Sequence, residues 1–268
     1  MRRHGMAAVN GTQLTYEICG VGRPLVLLHG FALDMRMWDA QVEAFSHHCM
    51  VIRYDMRGFG QSALPTSKPY AHTADLEALL NYLEIERACV AGLSRGGRWA
   101  LQFALEYQDG VDALIVADAM PIGYQITGAR PSLSPAIVAA RAEGVEAARR
   151  AWFDHPLFAP ARRNPDLRDR LWQMLQRYSG WHWYHEDPLL DSHPVAAQRL
   201  GEIAAPMLAV VGEEDLDDYQ RAADFLLAGI AHAHKRVIPR AGHMSNMENP
   251  GAFNEAVLTF LQTITPAA

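Results

Sequence analysis

The stretch Gly92-Leu93-Ser94-Arg95-Gly96 reads Gly-x-Ser-x-Gly and joins an apolar run to a helical pattern. The apolar run covers residues 88–93, and the helical pattern continues from residue 95 to residue 107. A serine on a sharp strand-to-helix turn projects its hydroxyl clear of the sheet, and the turn leaves no room for Cβ atoms two residues to either side. The pentapeptide therefore predicts that Ser94 is a nucleophile at the end of a buried strand.

Strand and helix patterns alternate on both sides of this turn. Apolar runs predict further strands at 24–28, 50–54, 111–117, 206–211 and 234–238, and helical patterns occur at 35–45, 73–83, 95–107, 219–230 and 250–264. Residues 9–18 alternate apolar and polar side chains around Asn10-Gly11, which indicates an edge hairpin. Because the other strands are apolar on both faces, we expect an α/β fold with a mostly parallel, doubly wound sheet.

The alternation stops in the middle of the chain. Between about residues 121 and 200 we find helical patterns at 135–153 and 165–178 and a loop rich in Trp, His and Pro at 180–194, without a strand pattern. The sequence therefore predicts an α/β core formed by residues 1–120 and 204–268, with residues 121–203 inserted as a helical cap.

Composition excludes several classes of function. The chain has 268 residues and a net charge of -6, with no run of Lys or Arg, which argues against nucleic acid and acidic membranes as partners. It contains neither a secretory signal pattern nor the ~20 consecutive apolar residues of a membrane span. The three cysteines lie in apolar, strand-like contexts, as expected for reduced thiols in the cytoplasm. We expect a monomer or a homodimer that acts on a small-molecule substrate.

A serine hydroxyl needs a base that takes its proton and an acid that orients this base. In such a sheet these groups gather at the carboxyl ends of the strands. His243 follows the strand 234–238, and Asp215 follows the strand 206–211, which gives the chain order Ser94, Asp215, His243. Asp118 is a rival for the acid because it ends the strand 111–117.

The oxyanion that forms during attack on a carbonyl needs hydrogen-bond donors. One donor is expected to be the backbone N–H of Arg95, at a helix N-terminus where the dipole favours negative charge. The second is expected from Phe31, in the loop His29-Gly30-Phe31 after an early strand, where Gly30 allows the amides to turn inward.

With these residues assembled, the chain resembles the α/β-hydrolase superfamily. The matching stretches are Leu27-Leu28-His29-Gly30-Phe31, Tyr54-Asp55-Met56-Arg57-Gly58-Phe59-Gly60-Gln61-Ser62, the turn 92–97, Gly212-Glu213-Glu214-Asp215 and Ala241-Gly242-His243. Within the superfamily the core is most similar to 3-oxoadipate enol-lactonase-like and small carboxylesterase-like enzymes. The resemblance implies a Ser94-His243-Asp215 triad, no cofactor, a lid formed by the insertion and a structural role for Asp55 and Arg57. The serine counts against haloalkane dehalogenases, whose nucleophile is an aspartate.

The insertion is rich in aromatic residues that could line a substrate pocket or hold its helices together: Trp152, Phe153, Phe158, Trp172, Tyr178, Trp181, Trp183 and Tyr184. We expect Trp181 and Trp183 nearest the pocket, whose lining should include His29, Gly30 and Met244. The cluster His182, His185, Glu186 and Asp187 matches no standard set of metal ligands, so no metal is expected.

The side chain of Arg95 is the least ordinary part of the pentapeptide. It places a cation near the serine, where it would either pair with an acid such as Asp118 or contact an anionic substrate.

The leading functional hypothesis is hydrolysis of a small carboxylic ester or lactone through an acyl-enzyme. The same triad could serve a C–C bond hydrolase of a vinylogous diketone or a cofactor-free perhydrolase. A non-enzymatic reading is a ligand-binding receptor that keeps the triad.

Overall fold

The computed structural model describes residues 2–127, 134–190 and 195–264. Its strands are β1 (Arg2–Val9), β2 (Thr12–Cys19), β3 (Pro24–Leu28), β4 (Met50–Tyr54), β5 (Ala88–Leu93), β6 (Val111–Ala117), β7 (Met207–Gly212) and β8 (Ala233–Ile238). They form one 8-stranded sheet in the order β1-β2-β4-β3-β5-β6-β7-β8. Strand β2 pairs antiparallel with β1 and β4, and all other neighbours are parallel.

Helices connect the strands and cover both faces of the sheet. They are α1 (Asp39–Phe45), α2 (His72–Tyr82), α3 (Arg95–Glu106), α4 (Ser134–Glu143), α5 (Val145–Phe153), α6 (Ala159–Arg162), α7 (Pro165–Arg177), α8 (Trp181–Tyr184), α9 (Asp217–Gly229), α10 (Ser245–Glu248) and α11 (Pro250–Thr263). The predicted α/β fold with an N-terminal antiparallel hairpin is confirmed.

The central strands are the best-predicted elements because they are buried on both faces. Strands β3, β4, β5 and β6 have the bounds expected from their apolar runs, and every residue of β5 and β7 is buried. Edge strand β8 exposes half of its side chains, and β1 exposes most of its first half. An exposed strand half has no alternation of buried and exposed side chains, so the sequence indicates the hairpin only near its turn. There Asn10 (φ 48°) and Gly11 (φ 68°) both adopt the left-handed conformation.

Helices α4 to α8 lie between β6 and β7, which confirms the predicted helical insertion. The segment expected to be a loop forms the short helix α8, and its residues 191–194 lie outside the described part of the chain. A bridge between Tyr70 and Leu189 joins the end of the insertion to the core. We call helices α4–α8 and the segment up to residue 190 the cap; the exact division at residues 121 and 203 remains a prediction.

The apolar core surrounds the sheet and continues into the cap. Cys49 and Cys89 are buried and Cys19 is half-buried, each as a free thiol. Within the described residues, no helix has the length and the apolar character that crossing a membrane requires.

The connection from β4 to α2 is held by two buried acids. Asp55 accepts hydrogen bonds from the N–H groups of Met35 and Gln61, both at 2.8 Å. Arg57 donates to both carboxylate oxygens of Asp75, at 2.6 and 2.9 Å, and the pair is almost fully buried. These contacts hold the connection between β4 and α2 in place, which is consistent with a structural role for Asp55 and Arg57.

Replacing Arg57 with Met should lower the free energy of unfolding by about 3–5 kcal/mol, because the Asp75 carboxylate then stays buried without its cation. Urea denaturation measures the loss. The double variant Arg57→Met/Asp75→Leu removes both charges and should recover much of it. A double variant as unstable as the single one would contradict a dominant role for the buried pair.

Candidate active site

Ser94 sits at the junction of β5 and α3 in a strained backbone conformation, with φ 56° and ψ -114°. Its N–H donates to the Ala117 carbonyl at 2.9 Å, which ties the turn to β6. A Cβ on Gly96 would lie 2.2 Å from the Leu28 carbonyl oxygen, and one on Gly92 would lie 2.3 Å from the Gly96 carbonyl oxygen. The glycines are therefore required because the first turn of α3 packs directly against the strand ends.

Three predicted side chains form one hydrogen-bonded chain at this turn. His243 Nε2 lies 2.9 Å from Ser94 Oγ, and His243 Nδ1 lies 3.0 Å from Asp215 Oδ2. Both residues are buried: the exposed fraction is 3% for His243 and 7% for Asp215. Because the carboxylate accepts the proton of Nδ1, the lone pair of Nε2 faces the serine hydroxyl.

Further contacts orient this histidine and this acid. The second oxygen of Asp215 accepts the Leu216 N–H at 2.8 Å. The Tyr219 ring packs against the imidazole, with 4.4 Å between the ring centroids. Sequence reasoning missed Tyr219, although its place on the first turn of the helix after Asp215 was a usable signal.

Asp118, the rival acid, faces other partners. One of its oxygens accepts the Gly212 N–H at 2.8 Å, and the other accepts the Ser245 hydroxyl. Complete burial and the neighbouring Asp215 raise the pKa of Asp118 well above its usual range. Asp118 therefore supports the two loops that carry Asp215 and His243, while Asp215 is the acid that meets the imidazole.

Glu248 brackets the histidine through the backbone. Its carboxylate accepts the Gly242 N–H at 2.7 Å and the Met244 N–H at 3.0 Å, on either side of His243. Burial raises the pKa of Glu248, and the two N–H donors oppose this shift. Glu248 was not predicted from the sequence, in which only its position five residues after the histidine connects it with the site.

Phe31 and Arg95, whose N–H groups are the expected oxyanion donors, line the same cavity as Ser94. Arg95 is the first residue of α3, so its N–H has no carbonyl one helical turn earlier. Phe31 follows Gly30 in the loop after β3. The positive φ of this loop belongs to Ala32 (58°), so Ala32, and not Gly30, makes the left-handed turn.

A cavity of about 470 Å³ opens next to the serine. Both Gly30 and Met244 are among its lining residues, as the sequence predicted. The remaining lining combines apolar and polar side chains from the core and the cap: Phe31, Leu33, Leu93, Ser94, Arg95, Arg98, Met120, Ile126, Trp152, Leu157, Phe158, Tyr219 and His243.

Three residues that we expected in the pocket lie elsewhere. Trp183 is buried inside the cap with its ring edge on Tyr178, and Trp181 stacks on His185 with 5.0 Å between centroids. Short helix α8 places Trp183 inside the cap and leaves Trp181 half-buried; neither residue is among those that line the cavity, which corrects the expectation for both. Trp152 and Phe158, from earlier cap elements, occupy the lining instead.

His29 is the third residue that was expected in the pocket and lies elsewhere. Its side chain is completely buried. Its Nδ1–H donates to the Gly30 carbonyl at 2.8 Å, and its Nε2 accepts the Met56 N–H at 3.0 Å. Burial lowers the pKa of His29 to about 4, so the ring is neutral and acts as a hydrogen-bonded spacer.

The Arg95 side chain reaches an acid of the cap. Its Nη2 lies 3.5 Å from Asp187 Oδ2 and 3.4 Å from His72 Nε2. The acid partner is thus Asp187, whereas Asp118 had been the suggested partner. Across residues 2–127, 134–190 and 195–264, no three His, Cys, Asp or Glu side chains are grouped so as to hold a metal ion.

Comparison with known proteins gives a family match and similar enzymes. A family described as the alpha/beta hydrolase fold matches residues 23–250. The chain is 31% identical to 3-oxoadipate enol-lactonase 2 of Acinetobacter baylyi over 255 residues, which is 91% of each chain. The enol-lactonase structure from Burkholderia xenovorans is 28% identical with a TM-score of 0.79, and the match covers 96% of this chain and 100% of that one.

A thermophilic esterase structure from Thermogutta terrifontis is also similar, at 25% identity and a TM-score of 0.78, over 98% of this chain and 99% of that one. The resemblance to enol-lactonases and small esterases is confirmed.

Glu248→Gln should destabilise the fold by about 1–3 kcal/mol, since one of the two N–H groups beside His243 then faces an amide NH2 in place of an acceptor. Thermal or urea unfolding measures the change. Glu255→Gln makes the same substitution on an exposed position of α11 and is the matched control, expected to leave stability unchanged. Equal stability of both variants would contradict the bracketing role.

Acid should destabilise the fold through His29. The unfolded chain takes up a proton near the ordinary pKa of 6.5, whereas folded His29 stays neutral down to about 4, so protons favour unfolding in this interval. Between pH 7 and 5 the wild type should lose about 2 kcal/mol more unfolding free energy than His29→Gln, whose amide does not titrate. Urea denaturation across this pH range tests the difference; parallel profiles would show that His29 is not the titrating group.

Proposed function

Because the chain belongs to the alpha/beta hydrolase fold family, we propose that it is a serine hydrolase that cleaves a small carboxylic ester or lactone. The observation that carries the proposal is the hydrogen-bonded chain from Ser94 through His243 to Asp215 at the wall of a cavity. The similarity to an enol-lactonase and to an esterase supports the substrate class.

In the proposed reaction, Ser94 Oγ attacks the carbonyl carbon while His243 Nε2 takes the hydroxyl proton. Asp215 holds the Nδ1 proton and stabilises the imidazolium that results. When the tetrahedral intermediate collapses, the C–O bond to the leaving group breaks and the alkoxide takes the proton from Nε2. In a lactone this alcohol stays attached to the acyl chain. A water molecule activated by His243 then attacks the acyl-enzyme, releases the acid and restores Ser94.

The negative charge of both tetrahedral intermediates falls on the former carbonyl oxygen. The backbone N–H groups of Phe31 and Arg95 are the proposed donors to it, and the N-terminus of α3 adds its dipole. One such donor typically contributes about 3 kcal/mol to transition-state stabilisation.

The cavity supports a small substrate that has an apolar part. Its volume of about 470 Å³ lies in the range of small-molecule sites, and leucine, methionine, isoleucine and aromatic side chains form most of its wall. Ser94 and His243 also line the cavity, so the ester group would be held there and the apolar part would contact the apolar wall.

Ser94→Ala should abolish hydrolysis of p-nitrophenyl acetate and butyrate, with kcat/KM at least 10³-fold below the wild type, because the nucleophile is lost. The variant should unfold at the wild-type temperature or above. A fluorophosphonate probe should label the wild type on the peptide containing Ser94 and leave the variant unlabelled. Equal turnover by both proteins would refute the assignment.

Turnover measured with further substrates, together with the same probe, separates the alternative functions. A receptor would react with the probe without multiple turnover of esters. Carbon–carbon bond hydrolysis or perhydrolysis would appear as turnover of a vinylogous diketone, or of a carboxylic acid with hydrogen peroxide, far above the turnover of esters.

A further inference from the structure

We propose that the cap holds the oxyanion hole together through the side chains of Phe31 and Arg95, so that these side chains act as positioning groups for the reaction. The proposal rests on the proposed function, in which the backbone N–H groups of the same two residues receive the oxyanion. It assigns the unusual cation of Arg95 to the seating of the cap and not to substrate recognition.

The Arg95 side chain links helix α3 to the end of the cap. Only 18% of it is exposed, and its guanidinium forms the ion pair with Asp187 at 3.5 Å. The guanidinium carbon also lies 5.6 Å from the ring centroid of Phe31 and 5.5 Å from that of Phe59. The backbone of Arg95 therefore belongs to the catalytic turn, while its charged end belongs to the boundary between cap and core.

Asp187 is fixed at this boundary by the core. The Tyr70 hydroxyl donates to its second oxygen at 2.9 Å. On either side of this contact, the Tyr70 N–H donates to the Pro188 carbonyl at 3.3 Å, and the Leu190 N–H donates to the Tyr70 carbonyl at 2.8 Å. The core therefore holds Asp187 in place beside Arg95, the first residue of α3.

Phe31 makes the corresponding contact from the other side of the oxyanion hole. Its ring meets three cap rings edge to face: Trp152 at 5.6 Å, Tyr178 at 5.8 Å and His182 at 5.6 Å between centroids. Such pairs prefer this geometry and stabilise it beyond the burial of their area. The Phe31 ring is thereby held by three rings of the cap and by Phe59 of the core, whose centroid lies 5.7 Å away.

His182 joins the two anchors. Its ring stacks on Phe59 at 4.6 Å and contacts Phe31, and its Nε2 lies 3.5 Å from Asp187 Oδ2. Burial and the charge of Arg95 lower the pKa of His182 to about 3, and the same causes place the pKa of His72 well below its ordinary value. Both rings are neutral, so the charge of Arg95 is balanced by Asp187.

The two oxyanion donors lie on separate elements, the loop after β3 and the first turn of α3. The cap segment from Tyr178 to Asp187 contacts the side chains of both, so its seating fixes the distance between the two N–H groups. A displacement of about 1 Å at a reacting centre costs up to about 10²-fold in rate. Loosening the segment should therefore weaken binding of the transition state more than binding of the substrate.

Arg95→Met tests this directly, because it removes the guanidinium and keeps both the backbone N–H and most of the stem. With the uncharged ester p-nitrophenyl acetate we expect kcat to fall about 10- to 100-fold and KM to stay within about threefold. Affinity for butylboronic acid, which forms a tetrahedral adduct on the serine, should fall in proportion to kcat. Asp187→Asn should act in the same direction, and the double variant should be no slower than Arg95→Met alone.

The chain offers a matched control in a second Arg–Asp pair between cap and core. Arg170 on α7 lies 3.4 Å from Asp39 on α1, both about half exposed and away from the oxyanion donors. Arg170→Met should leave kcat, KM and boronate affinity unchanged. Thermal unfolding of each variant establishes that the folded protein is being compared.

Three results would overturn the proposal: unchanged kcat in Arg95→Met, additive effects of the Arg95 and Asp187 substitutions, or a loss confined to substrates that carry a carboxylate. The last would make Arg95 a recognition group for anions. If Ser94→Ala is inactive while Arg95→Met is not impaired, only the cap proposal fails. If Ser94→Ala turns over like the wild type, the proposed function itself fails.

Discussion

The turn at Ser94 is the constraint on which the rest of the structure depends. A non-glycine residue at φ 56° and ψ -114° is costly, and it persists because the surrounding backbone leaves no alternative. Helix α3 starts so close to β3 and β5 that Gly92 and Gly96 have no space for a Cβ. Because Arg95 is the first residue of the same helix, one packing requirement positions both the proposed nucleophile and the residue of a proposed oxyanion donor.

The other groups reach this point because parallel strands end at the same edge of the sheet. Strands β6, β7 and β8 are consecutive neighbours of β5, and their loops bring Asp215 and His243 to Ser94. These loops are themselves held by buried carboxyl groups, since Asp118 accepts from Gly212 and Glu248 accepts from the residues flanking His243. The geometry at the serine therefore depends on acids that do not touch it.

The core and the triad could be predicted from sequence because their signals are local. A strand buried on both faces is a continuous apolar run, and the carboxyl-end rule then selects Asp215 and His243 from many acids and histidines. The cap gave no such signal. Its aromatic density shows that rings are needed, but the face that each ring occupies depends on packing among short helices. Trp183 therefore packs inside the cap and Trp181 stacks on His185, while Trp152 lines the cavity. Likewise, nothing near Arg95 in sequence indicates Asp187, which is 92 residues away.

These two kinds of signal meet at the oxyanion hole. The donors proposed for it are backbone groups, and a backbone N–H can donate whatever side chain its residue carries, so the side chains of Phe31 and Arg95 are free to serve another purpose. In this chain both side chains extend to the cap, where one is packed among aromatic rings and the other is balanced by an acid. A guanidinium balanced in this way has little excess charge to offer a ligand in the cavity. An anionic substrate would have to compete with Asp187 for Arg95, and would loosen the segment that seats the cap as it did so. The charge balance at Arg95 therefore supports the proposal that its guanidinium seats the cap and does not recognise the substrate.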